Sequence, residues 1–264
     1  MRHQLYQQTL GSGPSVLFVH GWLHSGDVWS TVADALSGYY RTTSIDLPGF
    51  GRSPPLAAQA CTLRSYAHIV QACIASLCEK YPCHCAVGDS LGAILLLQAV
   101  AADHGAVSRL MLSGCPVDGL AMPVRALAHA GVVRAALHVL RRAPTALADA
   151  VVVAACRLST VHRISSVNAA IIEAVRYADP RTAELLLRQL CLSHQSLVPN
   201  SGWITPTVVA RGQFDSVVSA KTAKWLSQQL NATYIELPSS GHTPMVERPV
   251  DYCSVLRDLL DNDT

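Results

Sequence analysis

Gly88-Asp89-Ser90-Leu91-Gly92 is the segment that most narrows the folds open to this chain. The apolar run Ala86-Val87 leads into it, and Ala93-Ile94-Leu95-Leu96-Leu97 leads out. The first reads as the end of a strand and the second as a helix, so the chain must turn sharply around a serine. Such a turn strains the serine dihedrals, and the flanking glycines remove the side chains that would clash. It also leaves the hydroxyl at a helix N-terminus, where backbone N–H groups point at incoming negative charge. Ser90 is therefore a candidate nucleophile. Asp89 beside it is expected to point elsewhere.

The surrounding pattern alternates. Val16-Leu17-Phe18-Val19 is a short strand-like run ending in His20-Gly21, and Val28 to Leu36 has helical spacing. Arg41 to Asp46 reads as a strand followed by the turn Leu47-Pro48-Gly49-Phe50-Gly51. Thr62 to Cys78 is a long amphipathic helix with Thr62 as N-cap. After the Ser90 turn and the Leu91–Ala102 helix comes the strand Arg109-Leu110-Met111-Leu112-Ser113. Strands alternating with helices imply parallel βαβ units with right-handed crossovers.

At Pro116 the pattern changes. From about 117 to 198 no strand is evident, and Pro123, Pro144 and Pro180 fall where helices can begin or end. The reading is a core of residues 1–115 and 200–264, interrupted by a helical insertion at 116–199. Nine arginines and no lysine stand against five acidic residues there, a net of +4 where the whole chain has +2. Strands return at Thr207–Ala210 and Thr233–Leu237, each followed by a helix-like stretch, near Ala220–Leu230 and Val250–Leu260.

With 264 residues, half of them hydrophobic and 14% charged, the chain can bury a substantial core. A net charge of +2 gives no ground for nucleic-acid binding. No apolar run approaches the roughly 18 residues of a membrane span. The polar first eight residues lack a signal-peptide core, so a cytoplasmic protein is expected, and a monomer. The nine cysteines read as reduced, mostly buried thiols. Cys83-His84-Cys85 fits a strand entering the core better than a zinc site, because no second ligand pair follows at zinc-like spacing. No metal and no cofactor is expected.

A serine nucleophile needs a base, and the base needs an orienting acid. His242 lies in Ser239-Ser240-Gly241-His242-Thr243-Pro244, just after the final strand, and is the candidate base among eleven histidines. Asp215 follows the Thr207–Ala210 strand and is the candidate acid, with Asp118 as fallback. Catalytic groups collect outside the carboxyl ends of parallel strands, so Ser90, Asp215 and His242 can meet there. An oxyanion also needs donors, and losing one typically costs about 3 kcal/mol. The Leu91 and Trp22 N–H groups are the candidates, with His20 as a loop brace rather than a second base.

Together these segments resemble the α/β-hydrolases. The likeness rests on His20-Gly21-Trp22, Asp46-Leu47-Pro48-Gly49-Phe50-Gly51-Arg52-Ser53, the Ser90 turn, Asp215, and Gly241-His242 followed by Glu247-Arg248-Pro249. Nucleophile, acid and histidine occur in that family's order. The resemblance covers residues 14–115 and 204–260 and is weak over the insertion. It implies a mostly parallel twisted sheet flanked by helices with an inserted helical cap, and a structural role for Asp46.

Serine rather than aspartate at the turn argues against halide displacement and for cleavage of a carboxylic ester or thioester through an acyl-serine. The cap is similar to those of small carboxylesterases of the pimeloyl-acyl-carrier-protein methyl ester esterase type, which serve biotin synthesis. That resemblance implies an acyl ester substrate on an acidic carrier protein, docked by cap arginines such as Arg125, Arg134, Arg141 and Arg142. The alternatives are a C–C bond hydrolase, a type II thioesterase, and a non-catalytic binding protein on the same scaffold.

Overall fold

The sharp strand-to-helix turn forms, and its two glycines explain how. The computed structural model describes residues 5–78, 83–120, 131–156, 165–192, 197–199 and 202–261. Strand β4 (Cys83–Asp89) passes through Ser90 directly into helix α3 (Leu91–Ala102). A Cβ on Gly88 would lie 2.7 Å from the Ala93 nitrogen, and one on Gly92 would collide with the carbonyls of Val19 and His20. Without those Cβ atoms α3 lies tight against β4 and its neighbour β2 (Ser15–Val19). Leu91 to Leu97 are all buried, which suits a helix with no polar face at its start.

The sheet has seven strands in the order β1-β3-β2-β4-β5-β6-β7. Its other members are β1 (Gln7–Leu10), β3 (Arg41–Ile45), β5 (Arg109–Ser113), β6 (Thr207–Gly212) and β7 (Thr233–Leu237). All neighbours pair in parallel except β1, which runs antiparallel to β3. The central strands β2, β5 and β6 are buried along their whole length, as parallel strands covered by helices must be. Strand β1 was not legible in the sequence. All four of its residues are exposed, so Gln7-Gln8-Thr9-Leu10 lacks an apolar signal.

Helices flank this sheet. α1 (Ser30–Leu36) packs on α10 (Pro249–Asp261), and α2 (Leu63–Cys78) packs on α3. Thr62 caps α2 by accepting from the Ser65 N–H at 3.1 Å. α8 (Ala220–Gln229) and the short α9 (Pro244–Glu247) complete the core helices. Trp29 stacks on Phe18 with ring centroids 5.0 Å apart, joining the turn before α1 to β2.

Between β5 and β6 the regular elements among the described residues are all helices: α4 (Val132–Arg142), α5 (Thr145–Cys156), α6 (Ser165–Tyr177) and α7 (Pro180–Cys191). Pro180 stands in the first turn of α7, which Asp179 caps through the Thr182 N–H at 2.7 Å. Pro144 precedes α5, and Pro123 lies outside the described residues. α7 is tied to the core. The Asp179 N–H donates to Gly49 O at 2.7 Å, and the Gln189 side chain accepts from Leu63 N–H and donates to Cys61 O. Gly49 has φ +79°, and a Cβ there would meet Thr182 at 2.7 Å, so glycine lets the turn after β3 seat this helix.

Candidate active site

Ser90, Asp215 and His242 follow the carboxyl ends of β4, β6 and β7, which run in parallel and so open on one edge of the sheet. Ser90 has φ +52° and ψ −110°, a backbone conformation that side chains rarely adopt. Its N–H donates to Ser113 O at 2.8 Å and its carbonyl accepts from the Ile94 N–H, so β5 and the first turn of α3 hold the strain.

Asp215 and His242 are in direct contact. His242 Nδ1 lies 3.0 Å from Asp215 Oδ2, and both side chains are buried. The other oxygen, Oδ1, accepts from the Val217 and Val218 N–H groups at 2.8 and 2.9 Å. Burial by itself would raise the Asp215 pKa, but the imidazole's charge and hydrogen bond and the two backbone donors bring it below the usual carboxylate range. Burial alone would likewise lower His242, yet the charge and hydrogen bond of Asp215, with smaller contributions from Asp89 and Glu247, raise it to about 9. Asp118, the fallback acid, is exposed and instead accepts from Thr222 Oγ1 at 2.9 Å.

The loop carrying His242 is held from two sides. Glu247 Oε1 accepts from Gly241 N–H at 3.0 Å and lies 3.4 Å from both Thr243 N and Oγ1. The Gln213 N–H donates to Leu237 O and the Phe214 N–H to Ser240 O, each at 2.8 Å, which joins the acid loop to the histidine loop. Gly212 permits this, since a Cβ there would collide with the Gly241 carbonyl. Sequence reading missed the part played by Gly212 and that of Gly114, where a Cβ would lie 2.9 Å from Cε1 of His242. The available signal was a glycine at or just past the end of an apolar strand.

Leu91 is the first residue of α3, where an N–H has no partner within its own helix. Trp22 lies in the loop after β2, where His24 N–H closes a turn on Gly21 O at 3.2 Å. The Trp22 indole donates to Ala183 O at 2.8 Å, linking this loop to α7. His20 braces the same region: Nδ1 donates to Gly21 O at 2.7 Å and Nε2 accepts from Leu47 N–H at 2.9 Å. Asp46 accepts from Gly26 N–H and Arg52 N–H, both at 2.7 Å, and holds the Pro48-Gly49 turn.

Arg134, Arg141 and Arg142 are exposed on α4, and Arg125 lies outside the described residues. Arg141 donates to Arg176 O and Tyr177 O at 3.0 and 2.9 Å, capping the end of α6. His84 and its neighbours form strand, as the alternation implied. Cys83 and Cys85 are buried, and the His84 ring lies 3.1 Å from Leu260 O.

A sequence profile of the alpha/beta hydrolase family matches residues 16–255. A pimeloyl-[acyl-carrier protein] methyl ester esterase of Methylococcus capsulatus is 40% identical over 113 residues, 42% of this chain and 41% of that protein. A protein of the same name from Aliivibrio fischeri is 32% identical over 111 residues, 42% of this chain and 40% of its own length. The chain thus aligns with about two-fifths of the length of these curated relatives. Among solved structures, a thermophilic esterase from Thermogutta terrifontis superposes with a TM-score of 0.77 at 20% identity, over 97% of this chain and 93% of that one. The enol-lactonase from Burkholderia xenovorans gives 0.75 at 18% identity, over 98% and 96%. Both likenesses are of fold.

Proposed function

The chain belongs to the alpha/beta hydrolase family, and on that premise we propose that it cleaves a carboxylic ester through an acyl-serine intermediate. The observation that carries this reading is the buried His242–Asp215 contact at 3.0 Å, on the same sheet edge as a serine with φ +52°.

Asp215 takes up Nδ1 of the imidazole, which leaves Nε2 as the nitrogen that can accept a proton. Ser90 Oγ attacks the ester carbonyl while His242 takes its proton. The carbonyl oxygen becomes an oxyanion facing the Leu91 and Trp22 N–H groups. Collapse of the tetrahedral intermediate returns the proton from His242 to the departing alcohol and leaves the acyl-serine. Water, deprotonated by His242, then attacks that ester and releases the acid and Ser90. Asp215 orients the ring and balances the imidazolium charge without itself accepting a proton.

The substrate reading follows the similarity to the pimeloyl-carrier-protein methyl ester esterases. The leaving group is then methanol, and the acyl chain arrives on an acidic carrier protein. The exposed Arg134 and Arg142 on α4 are the described candidates to meet it. The helices between β5 and β6 act in this reading as a cap over the serine.

The test uses turnover of a p-nitrophenyl ester by wild type and Ser90→Ala, followed by a covalent serine-hydrolase probe competed with acyl methyl esters, free and carrier-linked. Turnover abolished by Ser90→Ala and probe labelling blocked best by the carrier-linked methyl ester are expected. Turnover surviving the substitution would refute the nucleophile assignment. Absence of turnover in wild type would favour a binding protein on this scaffold.

A further inference from the structure

A guanidinium keeps its charge at any ordinary pH, so burying one requires partners for its N–H groups. Arg211 stands one residue before the end of β6 and is only 5% exposed. Its side chain spends its donors on one short loop. Nε donates to Val218 O at 3.3 Å, Nη2 to Asp215 O at 3.1 Å and Nη1 to Gln213 O at 3.4 Å. Nη1 also donates to Glu236 Oε2 at 2.7 Å, which supplies the opposite charge.

The three carbonyls span residues 213–218, and the middle one belongs to Asp215 itself. The same loop gives its Val217 and Val218 N–H groups to the Asp215 carboxylate. Its carbonyls thus serve the guanidinium while its N–H groups serve the acid. Glu236 is the register partner of Arg211 on β7, the strand that leads into the loop of His242. Two residues earlier on β7, the Tyr234 hydroxyl donates to the same Glu236 oxygen at 2.8 Å. Lys224 Nζ of α8 lies 5.4 Å from the centre of the Tyr234 ring. Gln213, held by Arg211 through its carbonyl, accepts from Ser239 N–H at 3.0 Å through its side chain. One guanidinium therefore joins the backbone of Asp215 to the strand and loop that bear His242.

Resting on Asp215 and His242 as acid and base, we propose that Arg211 is a positioning residue that sets the distance between them. Anchored on Glu236, its fork holds the three carbonyls of the acid loop, so the Asp215 carboxylate meets His242 Nδ1 in one geometry. The fork is what the role requires. A lysine keeps the positive charge and can still pair with Glu236, but its single ammonium cannot span carbonyls at 213, 215 and 218. Arg211→Lys therefore preserves the ion pair and removes the clamp.

The experiment follows the NMR signal of the proton between His242 Nδ1 and Asp215 in wild type, Arg211→Lys and Asp215→Asn, beside steady-state kinetics on a p-nitrophenyl ester and thermal melts. In folded Arg211→Lys the signal is expected to move or broaden. There kcat is expected to fall roughly tenfold or more with KM little changed, as misplacement of a catalytic group does. An arginine that only stabilises the fold would lower the melt and leave the signal in place, so an unmoved signal in folded Arg211→Lys overturns the proposal. Should Arg211→Lys not fold, Glu236→Ala at its half-exposed site frees the anchored end of the guanidinium. A displaced signal is expected there too, and an unmoved one overturns the proposal. Asp215→Asn is expected to abolish the signal. Its survival refutes the acid assignment, and the proposal with it. The signal does not depend on turnover, so its displacement in Arg211→Lys of a protein without esterase activity supports the clamp and refutes the ester reading alone.

Discussion

Gly114 lies directly against the His242 ring. A Cβ at 114 would be 2.9 Å from Cε1 and 3.1 Å from Nδ1 of His242. Gly114 also has φ +52°, where an L side chain is strained. Gly114→Ala is therefore expected to displace the imidazole and destabilise the fold by about 1 kcal/mol or more. Misplacement of a catalytic group by about 1 Å can reduce rate roughly 100-fold. Kinetics on a p-nitrophenyl ester, with a thermal melt alongside, measure both effects.

The pH dependence follows from the same ring. A base must be neutral to work, and His242, the base in the proposed reading, is raised to about 9. Activity is expected to climb with pH across the range from 7 to 9. Asp215→Asn removes the charge and should lower the ring midpoint, at a large loss of kcat. The stability signs are opposite for the two partners. Raised His242 contributes stability that is full below about 6.5 and is lost as pH rises through about 9. Lowered Asp215 contributes above its ordinary value and loses this as pH falls through its folded value. Denaturant melts across pH check both.

Glu247→Ala removes one carboxylate oxygen that serves Gly241 N–H, Thr243 N–H and the Thr243 hydroxyl. Buried donors left unpaired typically cost about 1–3 kcal/mol. The expected outcome is a less stable protein with reduced kcat and little change in KM, because the loop that carries His242 loosens. Urea melts and steady-state kinetics separate the two effects.

Trp22→Phe keeps an aromatic side chain, smaller by the pyrrole ring, and deletes the indole donor to Ala183 O. A loss of about 1 kcal/mol is expected. Hydrogen exchange should quicken in α7 while the core strands are unchanged. KM should rise more than kcat falls, since α7 belongs to the substrate-facing helices in the proposed reading.

Charge reversal of Arg134 and Arg142 tests the carrier reading. Turnover of a carrier-linked methyl ester is expected to fall at least tenfold, with a free short-chain ester unaffected. Equal turnover of both substrates would remove the carrier from the proposal. Arg141→Ala should instead lower stability, because that side chain caps α6.

Asp89 offers a stability readout too. Its raised pKa means the folded protein binds a proton that the unfolded chain releases, so stability falls as pH rises through about 7. Asp89→Asn is expected to raise the melting temperature at pH 8 and to change it little at pH 4.

Much of this architecture could be read from the chain alone, and the reasons are local. The Gly88–Gly92 turn is legible because only glycine fits so close to Ala93 and Val19. The parallel strands β2, β5 and β6 are legible because burial on both faces demands apolar runs. Strand β1 was not, since an exposed edge needs no such run. The order of Ser90, Asp215 and His242 along the chain, each after its own strand, could also be read directly.

Tertiary structure alone decided which groups touch. Nothing local in Asp215 or Asp118 says which one meets His242. The loop contacts of Gly212 and Glu247 settle that for Asp215. Nor does the motif say that the Asp89 carboxyl is buried against the Gly21 backbone, with no hydrogen bond from another described residue. A sequence pattern records what each segment needs from its own backbone. The charge a residue can hold depends on what distant segments place around it, and that exists only once the chain has closed.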